Sequence, residues 1–354
     1  MKFRTIITLL LTTGSTAVVA GGFETTALST SFMYESGSYG EASLSSRTYD
    51  ITGTVYAPTG SPVKNLSKPS FAFKSDIFDN IALGLSYYNQ GAVQLDYSGA
   101  GSALAAGLPV VDLTIDALTL QAKYDYSENI GAIAGIKMTT VQNASANIFL
   151  PTFTASTITG KSEMGYIVGA SYSIPEIAFR AELLYETETN FSLDTVSPAG
   201  PGQTTGSIPD YMTLNFQSGV ADGTLVFGSM RRADWANHQL RVHPQPTDTS
   251  SFTNTTTINV GVGRKITDAL SLIGTYGTEA KGDAAGTSLL SMTNGYQGIT
   301  IAGRYALENA TITAGYNYTM FGDKTVTPPT AGAPAGSFTG NKVTGFGVKV
   351  GFSF

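Results

Sequence analysis

The sequence predicts an all-β protein, a transmembrane antiparallel β-barrel of about fourteen strands. Three observations carry this. Many segments alternate apolar and polar side chains with a period of two, the signature of a sheet with unlike faces. Short connections alternate with long ones, as in barrels with short periplasmic turns and long outer loops. The last alternating segment ends on Phe354. Composition agrees, because only 13% of the 354 residues are charged, with 40 Gly, 18 Tyr and 18 Phe. Soluble domains carry about 25% charged residues.

In chain order, residues 1–20 read as a signal peptide. Lys2 and Arg4 precede an apolar stretch from Ile6 to Val19, and Val18-Val19-Ala20 offers a cleavage site. No later stretch is apolar over the length a membrane helix needs, so any span must be built from strands. Residues 21–50 lack clean alternation and are rich in Gly, Ser and Thr. They suit either a flexible tail or a plug inside the barrel. The barrel is expected over 51–354, with strands at 51–58, 69–75, 81–89, 113–125, 130–141, 160–174, 177–188, 211–220, 224–235, 255–265, 270–279, 296–306, 311–320 and 342–354.

The faces follow from the alternation. Phe346, Val348, Val350, Phe352 and Phe354 share one side of the last strand, and Gly345, Gly347, Lys349, Gly351 and Ser353 the other. The same reading sends Lys123, Lys137, Arg180, Glu182, Glu186, Arg232, Asp234, Lys265, Glu279, Arg304 and Lys349 into the lumen. A Lys or Arg facing lipid near the midplane would cost about 2–4 kcal/mol. Arg232 and Asp234, two apart, are expected to share the lumen face and hold the N-terminal segment, with Arg180 and Arg304 as further lumen contacts. Trp235 is expected outside, at the membrane interface.

No chemistry-bearing constellation stands out. The chain has no cysteine, which removes disulfides and Cys-ligated metals, and its net charge of −6 argues against nucleic acid. Its two histidines, His238 and His243, fall in one outer loop without the partners a catalytic set or a zinc site needs. No catalytic residue, metal or cofactor is expected.

The segment Ile208-Pro209-Asp210-Tyr211-Met212-Thr213-Leu214-Asn215-Phe216-Gln217-Ser218-Gly219-Val220, running through Ala221-Asp222-Gly223 into Thr224-Leu225-Val226-Phe227-Gly228-Ser229-Met230-Arg231-Arg232-Ala233-Asp234-Trp235, resembles paired strands of the FadL family of outer-membrane long-chain fatty acid transporters. Ser38-Tyr39-Gly40-Glu41-Ala42-Ser43 resembles part of that family's hatch, although its Asn-Pro-Ala motif is absent from 21–50. The resemblance implies a fourteen-strand barrel in the outer membrane of a Gram-negative bacterium, plugged by 21–50. It also implies passive uptake of a long-chain fatty acid or related hydrophobic molecule, with sideways exit into the membrane through a kinked wall strand. Gly84 or Asn89-Gln90-Gly91 is placed to make such a kink. The expected partners are outer-membrane lipid, the hydrophobic ligand and, through Phe354, the barrel assembly machinery. Apolar residues in the loops near 142–159 and 189–210, including Phe149, Leu150, Phe153, Phe191 and Leu193, are the candidate ligand contacts. The competing expectation is an aqueous diffusion porin for small polar solutes.

Overall fold

The computed structural model describes residues 21–99, 108–149, 153–283, 285–327 and 335–354, so the expected signal segment lies outside the described residues. Fourteen strands form the wall: β1 (Tyr39–Asp50), β2 (Leu66–Phe78), β3 (Ile81–Asp96), β4 (Val110–Asp125), β5 (Ile130–Val141), β6 (Lys161–Ile174), β7 (Phe179–Glu186), β8 (Tyr211–Ala221), β9 (Thr224–Ala233), β10 (Thr255–Lys265), β11 (Leu270–Glu279), β12 (Tyr296–Ala306), β13 (Ala310–Phe321) and β14 (Lys342–Ser353). Each pairs antiparallel with the next, and β14 pairs back onto β1 from Tyr39↔Ser353 to Asp50↔Lys342. Closure leaves no unpaired outer strand, the condition for placing a sheet in hydrocarbon.

The side chains sort as a membrane wall requires. Leu83, Leu85 and Tyr87 of β3, Met212, Leu214 and Phe216 of β8, and Ile258, Val260 and Val262 of β10 are exposed on the outside. Water would penalise so much apolar surface, whereas hydrocarbon accepts it. Exposed Phe78, Tyr124, Tyr126, Tyr172, Tyr305 and Phe354 gather at the short-turn end, as an interfacial aromatic girdle does. The connections there are brief, such as 79–80 and 222–223, and Gly223 takes φ +65°, a left-handed geometry glycine adopts without strain. At the other end the hairpins Ala144–Phe149 with Phe153–Ile158, and Thr189–Ser197 with Gly200–Ile208, rise beyond the wall.

The wall begins earlier than the expected 51. Residues 51–58 contribute two short strands, Gly53–Val55 and Ala57–Pro58, to a separate five-stranded sheet with Ala285–Gly286, Lys324–Val326 and Gly336–Phe338. The expected plug boundary at 50 therefore moves to about 38. The cause is the composition of β1. Its outward positions Ala42, Leu44, Ser46 and Thr48 include one large apolar side chain, so its alternation is nearly invisible in sequence. Only its neighbours β14 and β2 identify it as wall.

Residues 21–38 run inside the barrel. At the short-turn end the Phe354 N–H donates to the Ser38 carbonyl at 2.9 Å. At the other end the Thr253 N–H donates to the Gly21 carbonyl at 2.9 Å. Between them a 3₁₀ turn, Ser31–Tyr34, buries Phe32 and Met33 against the lumen side of β3. Gly84 makes this possible, because a Cβ there would lie 2.1 Å from Met33 Sδ and 2.7 Å from Phe32 Cε2.

Candidate functional site

The wall is discontinuous at one place. β2 and β3 pair from Phe78↔Ile81 only as far as Phe71↔Tyr87. Beyond that, Leu66–Ser70 continue alongside β1, and Tyr88–Asp96 continue alongside β4. The β3–β4 register slips between Asn89 and Gly91, which makes Gln90 an extra, bulged residue. A bulge bends its strand and reverses its faces. Below it Ala82, Ser86 and Tyr88 are buried on the lumen side; above it Gly91, Val93 and Leu95 take that side, paired with Ile115, Leu113 and Val111.

Residues 62–64 rejoin β3 above the gap, where the Lys64 N–H donates to the Gln94 carbonyl at 3.0 Å and the Asp96 N–H to the Pro62 carbonyl at 2.7 Å, and the edge left free below them is covered from within. Thr25 N–H donates to the Gln90 carbonyl at 2.8 Å, and Ala92 N–H donates to the Phe23 carbonyl at 3.1 Å. Glu24 thus pairs antiparallel with Gly91. The Thr25 hydroxyl adds bonds to the Asn89 carbonyl at 2.9 Å and to its Oδ1 at 2.8 Å. A cavity of about 100 Å³ sits below this cap, lined by Thr26, Ser29 and Phe32 of the N-terminal segment, lumen-facing Ser45 and Ser86, and the outward-facing Phe71 and Tyr87. Its lining therefore includes both sides of the wall.

Two groups of buried charges anchor the segment. Arg231 grips Glu24 with two bonds, Nε to Oε2 at 3.1 Å and Nη2 to Oε1 at 2.6 Å. Its Nη1 donates to Glu186 Oε1 and to Thr213 Oγ1, each at 2.7 Å, and Lys137 Nζ donates to Glu186 Oε2 at 2.9 Å. Cations and anions alternate in the order Lys137, Glu186, Arg231, Glu24, and all four are buried. The Tyr211 ring lies 3.7 Å below the guanidinium. Bidentate geometry of this kind makes the pair strong and directional. Lower in the lumen Glu182 accepts from Thr30 Oγ1 at 2.6 Å, from Asn215 Nδ2 at 2.9 Å and from the Tyr34 hydroxyl. Arg180 lies 3.7 Å over the Tyr34 ring. Arg47 Nη1 donates to the Thr25 carbonyl at 3.0 Å.

Above Glu24 the lumen turns apolar. Phe23, Trp235 and Phe252 meet edge to face, with centroids 4.7 Å apart for Phe23–Trp235 and 5.4 Å for Phe23–Phe252. Phe191 and Leu193, two of the expected ligand contacts, belong to the same large buried cluster. Leu150 and the side chains of Phe149 and Phe153 lie outside the described residues.

The remaining expected positions divide. Arg304 takes the lumen side of β12, opposite Ser271 and Thr313, and is not a member of the Glu24 network. Arg232 and Asp234 are corrected. Arg232 points outward opposite Met212, and its neighbour Arg231 points inward. Asp234 lies past the end of β9 and accepts from Asn237 Nδ2 at 2.7 Å. Trp235, in phase with Arg231 and Ala233, is buried in the aromatic cluster rather than set in the membrane interface. The physical reason is that β9 is apolar on both faces. Leu225 and Phe227 point inward and pack on Ile273 and Ala302, so hydrophobicity alone cannot fix its phase. His238 and His243 serve the outer loops: His238 Nδ1 shares a hydrogen with Ser207 Oγ at 2.7 Å, and His243 Nε2 lies 3.2 Å from the Gly200 carbonyl.

Glu24 was not singled out from sequence. Its signal is that it is the only Asp, Glu, Lys or Arg between Gly21 and Tyr34. A carboxylate on a segment enclosed in a barrel demands a cation.

No family model matches this chain, and no curated protein matches it in sequence. Solved structures share its fold over most of both chains. A Pseudomonas aeruginosa FadL homologue aligns with a TM-score of 0.78 at 12% identity, covering 92% of this chain and 92% of that one. The P. putida toluene transporter TodX aligns with a TM-score of 0.67 at 13% identity over 91% of each chain. The Ralstonia pickettii toluene transporter TbuX gives 0.64 at 11% identity, over 91% of this chain and 90% of that one. At such identities the likeness is one of fold.

Proposed function

We propose that this barrel is an outer-membrane passage for hydrophobic molecules. They enter the apolar outer half of the lumen and leave sideways between β2 and β3 into the surrounding hydrocarbon. The observation that carries the reading is the interrupted wall. It lies between the Phe71↔Tyr87 pair and the Val63↔Leu95 bridge, and over that stretch the edge of β3 is held by residues 23–25 instead of β2. A solute bound for the water-filled compartment needs no hole in the side of the tube. A hydrophobic one does, because the lower lumen is polar and filled by the N-terminal segment. The fold shared with structures described as a FadL homologue and as toluene transporters supports the same class of cargo. Long-chain fatty acids are the specific cargo we assign.

Cells with and without the protein, given labelled oleate, test this directly. Faster uptake with the protein is expected, and equal uptake would overturn the proposal. A Gram-negative outer membrane is the location this requires, and fractionation of the same cells checks it.

A further inference from the structure

We propose that Ser207, His238 and Glu188 form a hydrolytic set at the outer rim of the barrel, acting on carboxylic esters whose acyl chain lies in the outer leaflet. The inference goes beyond the transport reading and does not rest on it.

The ends of three wall strands bring these residues together. Glu188 lies two residues past the end of β7, Ser207 is next to last in the strand Gly200–Ile208 that leads into β8, and His238 follows the 3₁₀ turn Trp235–Asn237 after β9. Chain spacing alone gives no sign of such a set. Trp235, buried in the aromatic cluster, fixes the turn, and the His238 N–H closes it on the Trp235 carbonyl at 3.1 Å. Thr205 and Arg241 exchange backbone bonds, Thr205 N–H to the Arg241 carbonyl at 3.0 Å and Arg241 N–H to the Thr205 carbonyl at 2.8 Å. The loop carrying His238 is thereby pinned to the hairpin carrying Ser207.

The contacts assign the roles. Ser207 Oγ lies 2.7 Å from His238 Nδ1, the spacing of a nucleophile and its base. With Nδ1 accepting from the hydroxyl, Nε2 carries the ring hydrogen, and it lies 3.9 Å from Glu188 Oε2. The His238 side chain is enclosed, at 11% exposure, whereas Glu188 is 55% exposed and free to close the remaining gap. Hydrogen bonds of catalytic sets commonly tighten only once substrate is bound. Asn190 is the partner of Ser207 in the hairpin register, and its Nδ2 donates to Glu188 Oε1 at 3.1 Å. It steadies the carboxylate, and the second hydrogen of its amide is left as a donor for a developing oxyanion.

The reaction needs only water besides the ester. Ser207 Oγ attacks the carbonyl carbon as its proton passes to His238 Nδ1. The tetrahedral adduct collapses, the carbon–oxygen bond to the alcohol breaks, and the alcohol leaves with that proton. Water then attacks the acyl-serine while giving a proton to the same nitrogen, which returns it to Ser207 Oγ as the carboxylic acid departs. Glu188 stabilises the imidazolium formed in each half. Position sets the substrate class. Just below the set, Tyr185 of β7 and Met212 of β8 are paired and exposed on the lipid side. An acyl chain lying against that apolar wall brings its ester to the rim.

The test uses the full-length protein in nanodiscs, with an alkyl fluorophosphonate as the covalent probe and 4-nitrophenyl decanoate as the turnover probe. The fluorophosphonate is expected to label Ser207 of the unmodified protein, with the adduct located by mass spectrometry. Ser207→Ala should abolish labelling, and both it and His238→Gln should lower turnover about a hundredfold or more, the usual contribution of a nucleophile's base. Glu188→Gln acts through His238, so it is expected to lower kcat about tenfold or more and leave KM within about twofold, a split that mere loosening of the hairpin does not give. No adduct on Ser207 of the unmodified protein, or equal turnover by Ser207→Ala, would overturn the proposal. The first of these outcomes does not depend on any variant folding.

Discussion

Arg231 and Arg232 are neighbours in sequence and opposites in environment. Arg231 neutralises two buried carboxylates from different elements, and Arg232 reaches outward at the end of β9. Removing one partner from a buried ionic network strands the others, at about 3–5 kcal/mol. Arg231→Ala is therefore expected to lower the urea midpoint of barrel unfolding in lipid vesicles by that equivalent. Arg232→Ala should fall within about 0.5 kcal/mol, as surface changes do. Equal effects of the two would contradict the assigned phase of β9. This is also where sequence reading reached its limit. Alternation revealed that β9 is a strand and that an arginine belongs inside, but with Leu225 and Phe227 inward and Val226 and Met230 outward, either phase is compatible with hydrophobicity. The phase is set by pairing with β8, where Arg231 lies across from Thr213 and Arg232 from Met212.

At the scale of elements, β3 is the strand on which the proposed route depends. Its lower half, 81–89, was legible because Leu83, Leu85 and Tyr87 alternate with Ala82, Gly84 and Ser86. Its upper half was not, because Gln90 shifts the phase and Ala92-Val93 lose the pattern. Deleting Gln90 restores a continuous register between Asn89↔Asp116 and Gly91↔Ile115. Such a deletion straightens β3 against β4 and returns its upper half toward β2. Oleate uptake should then drop severalfold while heat-modifiable migration of the folded barrel on gels persists. Unimpaired uptake would remove the lateral route. The same reasoning explains β1, whose small and polar outward residues conceal it until its partners are known. β14, with Phe346, Val348 and Val350 outward, was plain from the start. Sequence spells out strands that face lipid with large side chains, and it under-reports those that do not.

At the scale of the whole molecule, the number of strands and the order of short and long connections were legible from lengths and periodicity, although 51–58 stood in the count where β1 belongs; lengths and composition left 21–50 open between a flexible tail and a plug, and only the family resemblance implied the plug. The five-stranded outer sheet was not legible, because it joins short segments from loops distant in sequence, including Gly53–Val55 and Gly336–Phe338. What separates a hydrophobic passage from a diffusion porin is the segment 21–38, which runs the length of the lumen. The intact protein in a planar bilayer is expected to show no large steady conductance, and a variant lacking 22–36 to show one. A large conductance from the intact chain would favour the porin.

The anchors of that segment have a mechanical consequence. A thin-walled tube resists stretching along its wall far better than flattening across its width. Here Glu24 and Thr30 reach β9 and β7 on one side, while Thr25 bonds to Asn89 of β3 and Arg47 ties the same segment to β1 on the other. The segment is thus a strut across the section, holding the tube round against the lateral pressure of the bilayer. Freed from it, the wall would keep its hydrogen-bonded ladders and still be able to turn oval, with the β2–β3 seam the place where the change in curvature gathers.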